Sequence, residues 1–168
     1  YYKVGGWTIR CHKHGGHGTL DMACAISNSC NPYFMQLGMK MGAHVFFKYF
    51  TAFGFTEKTG IDMSGETSNA GLYHSEKTLS ETAASLATAA FGQTNKVTPI
   101  QMITGISAIA NGGKLMTPYV VQQILDGDGN VVKNTEPTVR RQVVSAETAA
   151  QVSGMMEAAV NGGGCKSA

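Results

Sequence analysis

Apolar residues recur along this chain at helical spacing in segments up to about residue 110, in shorter extended runs from residue 119 to 144, and at helical spacing again to residue 160. From Thr19, which suits an N-cap, the positions Leu20, Ala23, Cys24 and Ser27 fall on one helical stripe, and Asp21 lies in the first turn, where the helix dipole favours a carboxylate. This first helix is expected to stop near Asn28. Pro32 suits the opening of a second helix running through Met41 and closed by Gly42. A third apolar run, Val45 to Phe53, is closed by Gly54, so Ser29, Cys30 and Asn31 fall in a turn between helices.

Residues 1–18 are rich in Gly and His without sustained periodicity, which predicts an irregular or partly extended opening segment. Phe55 to Ser80 is again aperiodic; loops of that length are usually functional or packed along another element, and this one is expected to be an ordered surface excursion. A short helix of small residues follows around Glu81 to Ala90. The strongest helix start is Thr98-Pro99-Ile100-Gln101, a capping box with proline in the first turn. Its helix carries Ile100, Ile103, Ile106 and Ala110 on one stripe and ends at Asn111-Gly112-Gly113.

Tyr119 to Leu125 and Val131 to Lys133 flank Asp126-Gly127-Asp128-Gly129-Asn130 and read as a β-hairpin, and Val139 to Val144 adds a further extended run. Ser145, with Glu147 in the first turn, caps a last helix carrying Ala149, Val152, Met156 and Val160, and Asn161 to Ala168 form a glycine-rich exit. Helices first and strands later, with no internal repeat and no βαβ rhythm, predict an α+β fold: an α-rich subdomain beside antiparallel strands.

Composition narrows the picture. The 168 residues suffice for one core, since at this size roughly two thirds of the unfolded surface is hidden on folding. Thirteen basic against 11 acidic residues, without a basic run longer than Arg140-Arg141, leave no nucleic-acid footprint. The charged fraction of 14% lies below the roughly 25% of an average domain, as in a chain that belongs to something larger. No stretch approaches the roughly 18 apolar residues of a membrane span, and any signal or anchor is expected to lie outside this chain, which opens on Tyr1.

Four cysteines, Cys11, Cys24, Cys30 and Cys165, are even in number, but spacing alone leaves them paired, free or metal-bound. Cys11, His12, His14 and His17, with Cys24 or Cys30 nearby, have the ligand chemistry of zinc. The spacing argues against it: Cys11 and His12 are adjacent and point apart in most backbones, and no second CxxC or HxxxH pair completes a tetrahedral set. A loop without metal or cofactor is the expectation there. Met35, Met39 and Met41 and the aromatic run Phe46, Phe47, Tyr49 and Phe50 read as core.

An ordered series of landmarks remains. Gly16-His17-Gly18-Thr19-Leu20 leads into Ser29-Cys30-Asn31-Pro32-Tyr33-Phe34; Phe53-Gly54-Phe55 runs through Lys58-Thr59-Gly60-Ile61-Asp62 to Gly65-Glu66. Ala90-Phe91-Gly92-Gln93, Val97-Thr98-Pro99-Ile100-Gln101-Met102, Ala110-Asn111-Gly112-Gly113, Pro118 and the Asp128-Gly129 hairpin follow. In this order the series resembles the penicillin-binding transpeptidases, especially the class B members that cross-link peptidoglycan, and the resemblance covers most of the chain. It implies part of the αβα sandwich that these enzymes share with β-lactamases, here an incomplete one occupying residues 1–168.

The resemblance also implies the chemistry. In that family a serine of a Ser-x-x-Lys motif attacks the penultimate D-alanine carbonyl of a stem peptide, and the acyl-enzyme passes to an amine of a neighbouring strand. Ser29 and Asn31 match the second motif, Ser-x-Asn: a buried Ser29 hydroxyl would relay protons toward the leaving group, and the Asn31 amide would hold the substrate backbone and the motif lysine. Read without the family, the same two residues are a capping turn. No serine or threonine of this chain has a lysine three positions later, so the nucleophile motif is expected upstream of Tyr1 and the Lys-Thr/Ser-Gly strand downstream of Ala168. Lys58-Thr59-Gly60 follows a helix, lacks strand context and reads as a structural loop.

The partners so implied are peptidoglycan stem peptides, β-lactam antibiotics and other cell-wall synthesis proteins, at the extracytoplasmic face of a bacterial membrane, with the chain inactive by itself. A non-catalytic β-lactam sensor or scaffold domain and a β-lactamase are the alternatives on the same architecture. A chain cut from such a sandwich is also expected to expose apolar faces and to self-associate.

Overall fold

The computed structural model describes residues 1–162; Cys165 and most of the glycine-rich exit lie outside them. The chain opens with a two-stranded hairpin, β1 (Tyr2–Val4) and β2 (Trp7–Ile9), registered Val4 to Trp7 around Gly5-Gly6. Both glycines have positive φ, +54° and +81°, which the tight turn requires. The opening segment is thus partly extended, as expected, but its strands are paired, which was not expected; the Gly-Gly pair between Val4 and Trp7 is the signal for that hairpin.

Three helices follow: α1 (Met22–Ser27), α2 (Asn31–Met41) and α3 (Ala43–Ala52). The first starts later than Thr19, because Asp21 is itself the N-cap and accepts the Cys24 amide at 2.7 Å. Gly42 ends α2 and begins α3. The small-residue helix expected around Glu81 to Ala90 is α5 (Ala83–Ala90); before it, in the stretch read as aperiodic, stands α4 (Glu76–Glu81), and between them Thr82 turns extended to cap α5 through the Ser85 amide.

The helices α2 and α5 pack together, with β1 against both. One buried cluster joins Val4, Met35 and Ala87; a second joins Leu79, Leu86 and Ala89, with Phe46 and Phe47 laid against it. The approach is close because Gly38 faces Ala90: a Cβ at residue 38 would lie 2.4 Å from the Ala90 Cβ. The expected Met and aromatic core is only partly buried. Met35 is fully enclosed, whereas Met41 and Tyr49 are 39% exposed and α3 buries no residue completely.

Helix α6 (Pro99–Ala110) starts at the predicted capping box, but its buried face is not the isoleucine stripe. Gln101, Thr104, Gly105 and Ala108 point inward, while Ile103 and Ile106 are 56% and 41% exposed. The Phe55 ring explains the small inner face: a Cβ on Gly105 would stand 2.7 Å from its Cζ. Phe55 in turn packs on Phe50 and Phe53, at ring-centroid distances of 5.2 and 6.2 Å.

The strands form two antiparallel ribbons besides the first. The expected hairpin is β4 (Gln123–Leu125) with β5 (Val131–Asn134); the ribbon that sequence did not predict pairs β3 (Lys114–Met116) with β6 (Val139–Gln142). Gly113, at φ +83°, lets the chain turn from α6 into β3, and a side chain there would strike the Val144 carbonyl oxygen at 2.1 Å. The last helix, α7 (Ala146–Val160), is capped by Ser145 as expected and packs on α1 and α6. No helix among the described residues is long and apolar enough to cross a membrane.

The long irregular stretch after α3 is anchored from inside. Asn69, 3% exposed, donates to the Phe55 carbonyl at 2.8 Å and to the Lys96 carbonyl at 3.0 Å, and accepts from Gln101 Nε2 at 3.1 Å. Gln101 also donates to the Glu57 carbonyl at 2.8 Å while its Oε1 accepts the Thr98 amide. The stretch is therefore ordered, as expected, but it is partly interior rather than a surface excursion. Asn69→Ala is expected to lower stability by about 2–3 kcal/mol, because it strands buried polar partners of three segments. A urea midpoint within error of the unsubstituted chain would refute that role.

Candidate active-site segment

The Ser29-Cys30-Asn31 segment joins α1 to α2. The Ser29 amide donates to the Ile26 carbonyl at 3.0 Å and the Cys30 amide to the Ala25 carbonyl at 3.1 Å, so the chain folds back over the end of α1. This reversal puts Ser29 at φ +45°, a region that non-glycine residues occupy at a cost. Cys30 is the N-cap of α2 and Asn31 its first residue, one position earlier than expected.

Neither Ser29 nor Asn31 caps the helix: α2 has no side-chain cap hydrogen bond. Ser29 is exposed and Asn31 half-buried, which corrects the expectation of a buried hydroxyl. Among the described residues neither side chain is held by an internal hydrogen bond, so both are available to a ligand. Pro32 and Met35, buried just beyond, fix the first turn of α2 and thereby the direction from which Asn31 projects.

Cys30 turns the other way. It is 6% exposed, and its sulfur, the Cys11 sulfur and a ring nitrogen of His17 lie within 4.8 Å of one another. The Cys11 Sγ is 3.1 Å from His17 Nδ1 and 3.8 Å from His12 Nδ1. Cys11 and Cys30 are both free thiols. Burial pushes the Cys30 thiol up, and the neighbouring Cys11 adds to this against the Tyr33 amide. Desolvation, helped by Lys13 and His12, lowers His17. The sequence offers Cys11, His12, His14 and His17 with Cys24 or Cys30 nearby; the fold brings Cys11 and His17 together with Cys30.

Lys58-Thr59-Gly60 is a loop rather than a strand, fastened by Glu66. That carboxylate accepts the Thr59 hydroxyl at 2.7 Å, the Thr59 amide at 2.5 Å and the Gly60 amide at 3.0 Å, and Thr59 is 2% exposed. Arg140 donates to the Lys58 and Thr59 carbonyls, at 3.3 and 3.4 Å, and with Arg141 pairs with Glu57. Asp62 extends the fastening by accepting the Val120 and Val121 amides at 2.8 and 2.9 Å. The loop thus ties the region after α3 to β6 and to the segment leading into β4.

The family described as "Penicillin binding protein transpeptidase domain" matches residues 1–168. Stage V sporulation protein D of Bacillus subtilis is 41% identical over 159 residues, which are 94% of this chain and 24% of that protein. The D,D-transpeptidase domain of a peptidoglycan glycosyltransferase from Eggerthella lenta superposes with a TM-score of 0.81 at 28% identity, over 95% of this chain and 41% of that one. Penicillin-binding protein 3 of Mycobacterium tuberculosis, complexed with aztreonam, gives 0.82 at 26% identity, over 95% of this chain and 34% of that one. The chain therefore spans about a quarter of the curated relative's length.

Burial alone would raise the Glu66 carboxyl; the bonds from Thr59 and Gly60 outweigh it and hold the group below its ordinary value. A carboxylate depressed on folding contributes stability that is present above its unfolded pKa, about 4.3, and lost as pH falls through the folded value. Unfolding curves from pH 7 downward should therefore separate the unsubstituted chain from Glu66→Gln above about pH 5 and bring them together in acid. A constant gap across the whole range would show that the carboxylate charge is irrelevant to the loop.

Proposed function

Because the chain belongs to the penicillin-binding protein transpeptidase family, we propose that it supplies the Ser-x-Asn part of a D,D-transpeptidase centre that cross-links peptidoglycan stem peptides and is acylated by β-lactams. The observation that carries this reading is the Ser29-Asn31 turn: a reversal with Ser29 at positive φ, whose exposed serine and half-buried asparagine side chains cap nothing. A hydroxyl and an amide in that position can each donate and accept hydrogen bonds. Ser29 passes a proton between the attacking serine and the leaving amine; Asn31 orients the substrate backbone and the motif lysine. The chain's similarity to a D,D-transpeptidase domain and to a penicillin-binding protein complexed with aztreonam supports this assignment.

The nucleophile comes from a Ser-x-x-Lys motif outside these residues, since no serine or threonine here has the required lysine. The chain is thus part of a larger transpeptidase domain, and alone it is inactive. The exposed Ile103 and Ile106 on α6 support the same view, as an apolar stripe of this kind covers or is covered by further structure. The site of action is the extracytoplasmic face of a bacterial membrane, where peptidoglycan is cross-linked.

Intact-mass analysis after incubation with a penicillin tests this. A covalent adduct is expected on a longer polypeptide that includes both flanking motifs and none on this chain. In the longer polypeptide Ser29→Ala should slow acylation by roughly 10²-fold, the contribution of a positioned proton relay. An adduct on this chain, or unchanged acylation after Ser29→Ala, would overturn the respective assignment.

A further inference from the structure

The geometry points to a thiophilic metal site, suited above all to zinc, built by Cys11, His17 and Cys30 and locking the turn that carries Ser29 and Asn31. It is independent of the acyl-transfer reading, since it rests only on side chains that the fold assembles. Three separate segments contribute: the chain just past β2, the loop before α1, and the N-cap of α2. Their sulfur, nitrogen and sulfur atoms lie within 4.8 Å of one another, and Cys11 Sγ to His17 Nδ1 is 3.1 Å.

Bond lengths show that the set is nearly closed. Zinc takes thiolate sulfur at about 2.3 Å and imidazole nitrogen at about 2.0–2.1 Å in a tetrahedron, which puts two sulfurs ~3.8 Å apart and sulfur and nitrogen ~3.6 Å apart. The observed separations need side-chain adjustments of no more than about 1 Å to reach those values, within the reach of χ1 rotations at Cys11 and His17. Both thiols are free, and the donor set of two sulfurs and one imidazole is the soft combination that selects zinc over magnesium or calcium.

Three protein ligands leave a fourth position. His12, whose Nδ1 stands 3.8 Å from Cys11 Sγ and whose ring centroid is 5.2 Å from that of His17, borders it on the exposed side, where water or an added ligand can enter. Binding is balanced without any redox change: two thiols release their protons to solvent, His17 binds as neutral imidazole, and the three metal–ligand bonds replace bonds to water of the hydrated ion, which is released. The consequence is local. Cys30 lies between Ser29 and Asn31, so a loaded site fastens the otherwise uncapped start of α2 to residues 11 and 17, and an empty one releases it.

The test uses the full chain, reduced and stripped of metal, titrated with cobalt(II) and then zinc. One cobalt per chain is expected, with intense thiolate-to-cobalt charge-transfer absorption that one equivalent of zinc bleaches. Cys11→Ser and Cys30→Ser should each weaken zinc binding by about 100-fold or more and His17→Ala by at least about 10-fold, while His14→Ala leaves it unchanged. X-ray absorption on the unsubstituted zinc-loaded chain guards against variants that misfold, and should show two sulfur neighbours near 2.3 Å with nitrogen or oxygen completing the shell. A shell of nitrogen and oxygen alone, full affinity after His17→Ala, or a Cys11–Cys30 disulfide that forms in preference to zinc binding in zinc-replete buffer would each overturn the site.

Discussion

Two buried amides, Asn69 and Gln101, bear most of the burden of making this chain one body. Between them they satisfy the carbonyls of Phe55, Glu57 and Lys96 and the amide of Thr98. Each of those groups would otherwise lose its internal partner at the junction where α6 meets a stretch that has no regular structure of its own. An aperiodic segment cannot satisfy its backbone internally, so its order depends on side chains that reach into it. Glu66 and Asp62 repeat the device nearer the surface, with carboxylates in place of amides.

That polar anchoring explains the orientation of α6. With Gln101 required inside and the Phe55 ring pressed on Gly105, the inner face must be small and polar, and the isoleucines turn outward. The helix is amphipathic in the ordinary sense, yet its apolar side faces away from the described core. Such an arrangement has a physical meaning only if that side is covered in a larger body, in keeping with a chain that spans a fraction of its relatives' length.

The motif turn obeys a different constraint. Helices α1 and α2 are joined by too few residues for a relaxed connection, so Ser29 takes a left-handed conformation and Cys30 is driven inward toward Cys11 and His17. One backbone reversal thereby leaves Ser29 exposed, Asn31 half-buried and the Cys30 thiol inside. Ser29 and Asn31 are the candidate substrate-handling pair, and the buried thiol belongs to the metal site inferred above.

Local signals were legible from sequence wherever a residue acts within its own turn: the Thr98–Gln101 capping box, the Ser145 cap, the hairpin around Asp126–Asn130, and the ordered landmarks that identify the family. The same reasoning placed the Ser29–Asn31 turn between two helices, because Asn28, Pro32 and Gly42 mark those helices' ends by short-range backbone chemistry. It misjudged the first N-cap by two residues, overlooked the Gly5-Gly6 hairpin and the strand β3 that pairs with the expected β6, and did not show which face of α6 is buried. What the sequence by itself determined, then, is the set of helices, their caps and the motif they frame, since those depend on neighbours within a few residues. The tertiary structure alone decided which helix face is buried, that Ser29 is exposed, and that Cys11, His17 and Cys30 converge, because each depends on contacts between segments far apart in the chain, which no spacing rule encodes.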